Sequence, residues 1–262
     1  MRLWLVVGLL IGATGNLALA GSPSEAGRYL VAFDTSKKIE EHVISRQSAL
    51  GITSAGQTSA VQFSLPSNTQ ISAVSASNGF LYAVSETSFE AGQQLFTPRT
   101  VFRQKENDSL EVVFDGTMQG IPENVKITGL SVNDSNIYFS LSIFAVVNGH
   151  LVSPNDIVHW NGETFSPYFS SAAAGIPATA RVGDFHIFND GTIEFTFDSS
   201  VQIAGTNYRR DSILQFDPTS MAWSASEFSD TFSALCVSCK LVGITYDAGF
   251  DSLFGDRFET YQ

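Results

Sequence analysis

An aspartate and a histidine on one predicted β-strand form the candidate acid–base pair of this chain. Asp184 and His186 are two residues apart in the segment VGDFHIFNDG. This strand is predicted to line the central channel of a ring-shaped fold. A carboxylate and an imidazole at the mouth of such a channel can exchange a proton with a bound molecule, provided that they lie within hydrogen-bond reach of it. We therefore take Asp184 and His186 as the candidate catalytic residues, with ordinary packing on the strand face as the alternative.

A compact basic and aromatic segment suggests a different chemistry, the binding of an anion. Tyr208, Arg209 and Arg210 are consecutive in a predicted loop, and Arg99 lies in the equivalent loop of an earlier repeat. In a chain with a formal net charge of −12, arginines gathered on one face would bind a carboxylate or phosphate. Local pairing with a nearby carboxylate such as Asp211 is the alternative.

The sequence carries none of the common nucleotide, metal or hydrolase motifs. There is no GxGxxG, P-loop lysine motif, HExxH, EF-hand loop or GxSxG. The four histidines are scattered without the spacing of metal ligands. We expect no cofactor and no metal; calcium held by turn aspartates is the alternative, although such residues usually hydrogen-bond their own backbone. The turn aspartates are Asp115, Asp156, Asp190, Asp211 and Asp217.

The two cysteines are close together in the sequence. Cys236 and Cys239 are predicted to form a local disulfide in an exported protein. Free thiols are one alternative, and redox chemistry is another, although it would call for a βαβ context that the sequence does not show. A zinc site built from four cysteines would require two more thiolates.

Residues 1–20 have the pattern of a secretory signal. Arg2 is the charged start, residues 3–11 are apolar, and residues 18–20 form a small-residue cleavage site that predicts a mature start at Gly21. The apolar run is shorter than the ~20 residues that span a membrane, and no later segment is apolar enough. We therefore expect an exported protein that is periplasmic, secreted or at the cell surface and has no transmembrane segment.

The charge balance narrows the class of partner. The chain has 14 Lys and Arg residues against 26 Asp and Glu residues. This acidity repels nucleic acid and anionic lipid. The partners left open are a protein, a glycan or a small anionic ligand bound by local cations.

An internal repeat positions these groups. A proline followed five residues later by the aliphatic start of a strand recurs at a spacing of about 55 residues, which indicates one supersecondary unit used several times. The pairs are Pro66 with Ile71, Pro122 with Ile127, and Pro177 with Val182. A fourth copy begins at Leu241, where Cys236 takes the place of the proline.

Each unit is predicted to hold four strands, because short runs of β-branched and aromatic residues alternate with turn residues. The first strand follows the proline marker. The second strands are 80–85, 136–141 and 192–197; the third are 101–104, 157–161 and 213–217; the fourth are 110–114, 165–169 and 222–228. Long loops at 86–99, 142–155 and 198–210 are expected on one face, and 39–50 is a weak candidate helix.

The two ends of the chain complete one shared unit. Residues 30–34 are similar to the third-strand segment 213–217, and residues 241–254 are similar to the first two strands. A unit split in this way is typical of a closed ring without open edges. We therefore predict an all-β, four-bladed β-propeller-like domain over 21–254, followed by a tail at 255–262. An open β-solenoid and a β-sandwich are the alternatives.

Several segments resemble a group of exported β-propeller-like repeat proteins of Gram-negative bacteria to which no reaction is assigned. They are DIVHWNGETFSPYF followed by GIP, then FNDGTIEFTFDSS and DSILQFDPTSMAW. The end LFGDRFE resembles the C-terminal Phe-x-Asp-Gly-Phe-Glu tail of the group, with Arg257 in place of the glycine. The resemblance covers about residues 70–259; it implies an architecture and an exported location, and no activity.

Two functions of different class follow from these features. The first is a secreted or surface-exposed binding or scaffold protein without enzymatic activity, whose site is the long-loop face with Arg99, Arg209 and Arg210. The second is an extracellular hydrolase or lyase with Asp184 and His186 at the channel mouth. They differ in whether these two residues converge with another acid in one pocket. A purely structural role is a third possibility and predicts no concave polar pocket.

Overall fold

A computed structural model describes residues 28–53, 56–105, 107–236 and 239–247 of the chain. The predicted signal at 1–20 and the predicted tail at 255–262 lie outside the described residues.

The described part of the chain is almost entirely β-structure with one short helix. The first twelve strands are β1 (Arg28–Phe33), β2 (Lys37–Ile39), β3 (His42–Ile44), β4 (Ser48–Thr53), β5 (Thr58–Gln62), β6 (Ile71–Ser77), β7 (Phe80–Ser85), β8 (Phe89–Ala91), β9 (Gln94–Phe96), β10 (Thr100–Gln104), β11 (Leu110–Asp115) and β12 (Ile127–Asn133). They are followed by β13 (Asn136–Leu141), β14 (Ala145–Val147), β15 (His150–Val152), β16 (Ile157–Trp160), β17 (Phe165–Phe169), β18 (Val182–Ile187), β19 (Ile193–Phe197), β20 (Val201–Ile203), β21 (Thr206–Tyr208), β22 (Leu214–Asp217), β23 (Ala222–Ala225), α1 (Glu227–Leu235) and β24 (Leu241–Asp247).

Four antiparallel sheets of four strands form the blades, so the predicted four-bladed propeller is confirmed. From the inner strand outward, blade 1 is β24-β1-β4-β5, blade 2 is β6-β7-β10-β11, blade 3 is β12-β13-β16-β17 and blade 4 is β18-β19-β22-β23. The inner strands β24, β6, β12 and β18 neighbour one another in that order, and β18 neighbours β24. The blades therefore surround a common axis.

The core is divided among the interfaces between blades rather than gathered in one centre. Four clusters of buried apolar side chains each join two neighbouring blades. Phenylalanines dominate the largest fully buried side chains, among them Phe102, Phe139 and Phe195. The aromatic content thus fills the wedges between the blades.

The ring is closed by strands from the two ends of the chain. β1 lies between β24 and β4, with Leu30 opposite Thr245 and Val31 opposite Ile244. The predicted closure of the ring is confirmed. The C-terminal part of the chain contributes one strand to blade 1 and the N-terminal part contributes three, whereas the sequence predicts two from each. Residues 30–34 therefore belong to a second strand and not to a third, because their place is decided by pairing with β24.

The long predicted loops contain additional strands. The hairpins β2–β3, β8–β9, β14–β15 and β20–β21 connect the second and third strands of blades 1, 2, 3 and 4. Because the second strand of each blade ends where the hairpin begins, all four hairpins lie on one face of the ring, which we call the hairpin face. The weak candidate helix at 39–50 is wrong, since this range contains the end of β2, all of β3, the start of β4 and the turns between them.

The helix α1 joins blade 4 to blade 1. The predicted fourth strand at 222–228 ends earlier, because Ser226 caps α1 and its Oγ accepts the amide of Phe228 at 3.2 Å. Phe228 stacks on Tyr29 with ring centroids 4.0 Å apart, and Phe232, one turn later, packs near Phe33. The helix thus covers the apolar seam beside the closing strands.

Candidate functional site

The axis of the ring is packed closely because small residues face it. The third residue of the four inner strands is Ala73, Gly129, Asp184 and Gly243. A Cβ atom on Gly129 would lie 2.8 Å from Cδ1 of Phe185, and one on Gly243 would lie 2.7 Å from Cγ2 of Val74. Glycine is required at both places because the inner strands approach so closely.

The carboxylate of Asp184 fills the remaining space and joins all four blades. Its Oδ1 accepts the amide of Leu130 at 2.7 Å, and its Oδ2 accepts the amides of Ile244 at 2.8 Å and Val74 at 3.3 Å. These amides belong to the inner strands of blades 3, 1 and 2. Complete burial raises the pKa of Asp184 well above its ordinary value, while the amide hydrogen bonds act in the opposite direction.

His186 lies in the next layer of the axis, where it completes a belt of side chains. The fifth residues of the other inner strands carry hydroxyls, and each accepts the amide of the sixth residue on the following inner strand over 2.8–3.1 Å. The pairs are Ser75 with Val132, Ser131 with Ile187, and Thr245 with Ala76. Nδ1 of His186 contacts Oγ1 of Thr245 at 3.2 Å, which closes the belt.

Neither candidate catalytic residue lies at a channel mouth. Burial lowers the pKa of His186 to about 4, so its imidazole is neutral at physiological pH. His186 and Asp184 are 7% and 0% exposed, and the carboxylate oxygens of Asp184 are occupied by backbone amides. The structure thus places the two residues in the packed axis, where they hold the inner strands together.

A second buried carboxylate, which the sequence reasoning missed, joins blade 4 to blade 1. Oε1 of Glu194 accepts hydrogen bonds from the Tyr29 hydroxyl at 3.2 Å and from the hydroxyl of Ser226, the cap of α1. Burial raises the pKa of Glu194 to about 7, and the same burial together with the nearby carboxylate raises the pKa of Tyr29. A charged residue at the second position of the otherwise largely apolar strand β19 was the available sequence signal.

The Arg99 side chain makes a hydrogen bond between neighbouring blades, and residues of other types make the corresponding bond in blades 1 and 3. Its Nη1 donates to the carbonyl oxygen of Ile121 at 3.1 Å, in the segment that leads to the next inner strand. At the equivalent turn position in blade 1, Gln47 donates to the carbonyl of Pro66. In blade 3, Asn155 donates to an equivalent segment at 2.9 Å. Arg99 thus links neighbouring blades.

The Tyr208–Arg210 segment lies in blade 4, across the ring from Arg99 in blade 2, so the structure does not bring the predicted arginines together. Nε and Nη2 of Arg209 donate to the two carboxylate oxygens of Asp211 at 3.0 and 2.7 Å. Tyr208 packs against the apolar cluster between blades 3 and 4. Arg210 occupies the second position of a hydrogen-bonded turn that recurs in every blade.

A polar funnel opens on the hairpin face at the end of the ring axis. It encloses about 450 Å³, and the charged side chains in its wall come from several blades. They are Asp34, Arg46, Glu86, Arg181, Asp198 and Lys240. Arg46 and Pro154, which also lines the funnel, occupy the same turn position as Arg210, but Arg210 itself is not among the residues that line the funnel.

Two repeat positions supply most of the funnel charge. The residue before each inner strand is basic in three blades, and the residue after each second strand is acidic in three blades. The first set is Gln70, Lys126, Arg181 and Lys240, and the second is Asp34, Glu86, Ser142 and Asp198. In every blade the amide of the second-set residue donates to the carbonyl of the first-set residue. The backbone therefore fixes these side chains around the opening.

Some of these charged side chains contact a neighbouring blade, and others form no ion pair. Lys126 forms an ion pair with Glu86 of the preceding blade, and Nη1 of Arg181 donates to the carbonyl of Ser142 at 3.1 Å. Arg46, Arg181 and Lys240 form no ion pair with any carboxylate of the described residues. Three cations are thus available in one concavity of an acidic protein.

The turn aspartates are engaged by neighbouring protein groups. Asp115, Asp190 and Asp217 each accept an amide two residues later at 2.8–2.9 Å. Asp156 accepts the amides of Ser153 and Ser171. Across the described ranges, no group of three or more His, Cys, Asp or Glu side chains is placed to hold a metal ion.

The two cysteines are within bonding distance of each other. Cys236 and Cys239 are paired, with Cα atoms 5.7 Å apart, which lies within the usual range for a disulfide. The bridge connects the end of α1 to the segment before β24, next to the strand that closes the ring. In the described part of the chain, no helix is both long and apolar enough to cross a membrane.

Comparisons with known proteins give only a distant structural likeness. No protein-family description matches the chain, and no curated protein sequence matches it. Among solved structures, virginiamycin B lyase from Staphylococcus aureus is 12% identical with a TM-score of 0.33, over 77% of this chain and 56% of the lyase. A luciferin-regenerating enzyme is 12% identical with a TM-score of 0.34, over 72% of this chain and 58% of that enzyme.

A third similar structure is a protein of unknown function from Bacteroides caccae. It is 9% identical with a TM-score of 0.34, over 78% of this chain and 73% of that protein. The chain thus spans little more than half of the lyase and of the luciferin-regenerating enzyme. Likeness at this level carries no argument about reaction or ligand.

Proposed function

We propose that this chain is an exported binding protein that takes a small anionic ligand in the funnel. The observation that carries the proposal is the convergence of Arg46, Arg181 and Lys240 on one concavity of about 450 Å³. The chain as a whole is acidic, with a net charge of −12. Because Glu86 is paired with Lys126, the three cations share the funnel with two carboxylates that form no ion pair among the described residues, Asp34 and Asp198. This small local excess of positive charge in an acidic protein favours a carboxylate or phosphate group there.

The funnel has the size and rigidity that a small-molecule site needs. Its volume lies in the range of ~300–1,000 Å³ that is usual for ligand pockets. Its cations stand at the ends of paired strands and in hydrogen-bonded turns, so the backbone that carries them needs little ordering on binding. A purely structural role would require no such polar concavity, and the funnel therefore favours binding over a scaffold role alone.

The enzymatic alternative has less support. A hydrolase or lyase built on Asp184 and His186 requires that a substrate reach them, and both residues lie inside the packed axis. The binding function needs only the residues that face the funnel.

Export is part of the same proposal. It is supported by the signal-like pattern at 1–20 and by the disulfide between Cys236 and Cys239, since disulfides persist mainly in oxidising compartments. Expression of the full chain in a Gram-negative host tests it. We expect a periplasmic or secreted product that begins at Gly21 by N-terminal sequencing, and a product that keeps residues 1–20 in the cytoplasm would contradict it.

Thermal-shift and calorimetric titrations test the binding function. The probes are inorganic phosphate, citrate and glucuronate, which differ in charge and size. A ligand present at 100 times its dissociation constant adds about 2.7 kcal/mol of stability, and we expect a rise in Tm of about 5–11 °C. If none of the three anions raises the Tm, the proposal loses its support.

Charge-neutral variants locate the site. We expect Arg46→Gln, Arg181→Gln and Lys240→Gln each to weaken the binding of the best probe by about tenfold, and the triple variant to abolish it. Lys38→Gln, on the exposed hairpin strand β2, is the matched control and should bind as the wild type does. Equal binding by the triple variant and the wild type would place the anion elsewhere.

A further inference from the structure

The hairpin of blade 3 departs from the pattern of the other three. In blades 1, 2 and 4 the two residues before the hairpin are Thr35-Ser36, Thr87-Ser88 and Ser199-Ser200. Blade 3 has Ile143 and Phe144 at these positions, and their side chains are 38% and 65% exposed. Two polar positions of the repeat have thus become apolar in one blade without becoming buried.

The same change occurs at the centre of the hairpin. The outward-facing cross-strand pair is Lys38 with Val43 in blade 1, Glu90 with Leu95 in blade 2, and Gln202 with Asn207 in blade 4. In blade 3 it is Val146 with Leu151, which are 57% and 72% exposed. Only this hairpin, among the four, has two apolar residues in its outward pair.

These residues form the main exposed apolar patch of the described chain. Nine large apolar side chains are exposed there, and five of them belong to blade 3. Four of them, Ile143, Phe144, Val146 and Leu151, lie in the hairpin or directly before it, and we call them the blade 3 patch; the fifth, Tyr168, lies on the outer strand β17 and contacts Tyr138. Since exposed apolar clusters of this kind usually mark interaction sites, the patch needs a partner.

The charge around the blade 3 patch points to the nature of that partner. Residues 142–155 and 164–180 contain no Asp, Glu, Lys or Arg, in a chain with a net charge of −12. Two copies of so acidic a protein repel each other over most of their surface. A charge-free apolar face is where that repulsion is smallest and where apolar burial favours contact.

The patch also has a recess to receive its own protruding side chains. A groove of about 180 Å³ runs between the hairpin and the outer strand β17, and its wall is largely apolar, including Val147, Val152 and Phe169. The carboxylate in the wall belongs to Asp156 and accepts two backbone amides of blade 3. Protruding residues and a recess on the same surface are what a two-fold contact needs, because each copy supplies both. Pro167, in the middle of the edge strand β17, lacks an amide donor and so disfavours strand pairing there.

We propose that the blade 3 patch is a self-association surface, through which a second copy of this chain packs about a two-fold axis. The contact is formed by side chains and not by a continuous sheet. The funnel cations Arg46 and Lys240 belong to blade 1, across the ring from the patch, whereas Arg181 donates to the carbonyl of Ser142, which directly precedes Ile143.

Sedimentation velocity of the mature protein over a range of concentrations tests this proposal. We expect a reversible monomer–dimer equilibrium at micromolar concentration. Association should tighten with added salt, because salt screens the repulsion between the acidic copies. Association that weakens with salt would indicate ion pairs and contradict an apolar contact.

Variants that copy blade 2 into blade 3 give the sharpest test. Ile143→Thr with Phe144→Ser reproduces Thr87-Ser88, and Val146→Glu reproduces Glu90, so each new side chain already occurs in an equivalent hairpin. We expect both variants to stay monomeric with an unchanged Tm at low concentration. Val43→Glu, at the exposed centre of the blade 1 hairpin, is the matched control and should dimerise normally.

The outcomes are distinct. Wild-type protein that is monomeric at every concentration overturns self-association and leaves the patch to another protein. A dimer that persists in Val146→Glu and in the double variant, or one that Val43→Glu abolishes, places the contact outside the blade 3 patch. The funnel titrations serve as an independent readout, because every one of these variants should bind the anion as the wild type does.

Discussion

Oδ1 of Asp184 accepts the backbone amide of Leu130 at 2.7 Å, between blades whose contacting residues are 54 positions apart in the sequence. The same carboxylate accepts amides from the two remaining blades. The inner strands pack too closely for water to reach these amides. The Asp184 side chain therefore accepts hydrogen bonds that the inner strands do not make to one another.

Removal of this carboxylate should destabilise the whole ring. Asp184→Ala leaves three buried amides without their acceptor, and each such group costs about 1–3 kcal/mol. We expect a loss of at least about 3 kcal/mol, which corresponds to a fall in Tm of roughly 6–12 °C for a chain of this size, by thermal denaturation. Asp190→Ala, at an exposed turn, should lower the Tm by less than about 2 °C, and equal effects in the two variants would count against the linking role.

Glu194 should make stability fall as the solution becomes alkaline. Its pKa of about 7 in the folded protein lies above its ordinary value of 4.5. The folded state therefore holds a proton that the unfolded state has lost, and this stabilisation is complete below pH 4.5 and disappears as the pH rises through 7. Relative to Glu194→Gln, the wild type should lose about 1 kcal/mol between pH 6 and 8.5, measured by urea unfolding.

The neutral variant also separates Glu194 from its neighbour His186. The pKa of His186 is lowered to about 4 from 6.5, so its contribution is present above pH 6.5 and is lost as the pH falls through 4. This effect is common to the wild type and Glu194→Gln, and it cancels in their difference. A difference that stays constant over pH 6–8.5 would mean that Glu194 keeps an ordinary pKa.

Arg99 should be replaceable by the residue that blade 1 uses at the same turn. Arg99→Gln keeps a donor for the carbonyl of Ile121, as Gln47 does for Pro66, and should change the free energy of unfolding by less than about 0.5 kcal/mol. Arg99→Ala removes the donor and should cost about 1 kcal/mol. Chemical denaturation of both variants distinguishes this linking role from a role in anion binding, where Arg99→Gln should show a loss of affinity instead.

Removal of the disulfide should lower the stability of the protein and leave its ligand affinity unchanged. Cys236 and Cys239 are three positions apart, and closure of so short a loop stabilises by about 2 kcal/mol. We expect Cys236→Ser with Cys239→Ser to lower the Tm by roughly 4–8 °C while anion affinity stays the same. If the double variant has the Tm of the wild type, the bridge contributes no restraint to the strand that closes the ring.

The elements that the sequence predicts correctly are those specified by local pattern. Strands β6, β12 and β18 begin at Ile71, Ile127 and Val182, as the proline markers indicate. The place of β1 was not predictable in this way, because its ending resembles that of β22 and only the distant partner β24 decides its position. Strand identity within a blade is a non-local property, whereas strand existence is a local one.

The candidate sites show the same difference between local properties, which the sequence predicts, and non-local ones, which it does not. Asp184 and His186 share a strand face as their spacing implies, but whether an inner strand faces an open channel or a packed axis depends on Gly129 and Gly243 of other blades. The funnel residues Arg181 and Lys240 stand at fixed offsets from strands that the repeat predicts. A column-by-column alignment of the four units would have revealed them.

The closure of the ring by β24 has a consequence for the order of folding. A ribosome makes β1 first and β24 last, so the second strand of blade 1 has one edge unpaired until residue 241 has left the tunnel. The two strands that seal the structure are separated by more than 200 residues, and a loop of that length is slow to close. Closure of the ring must therefore follow the synthesis of β24, whereas blades 2, 3 and 4 are each built from strands that are consecutive along the chain.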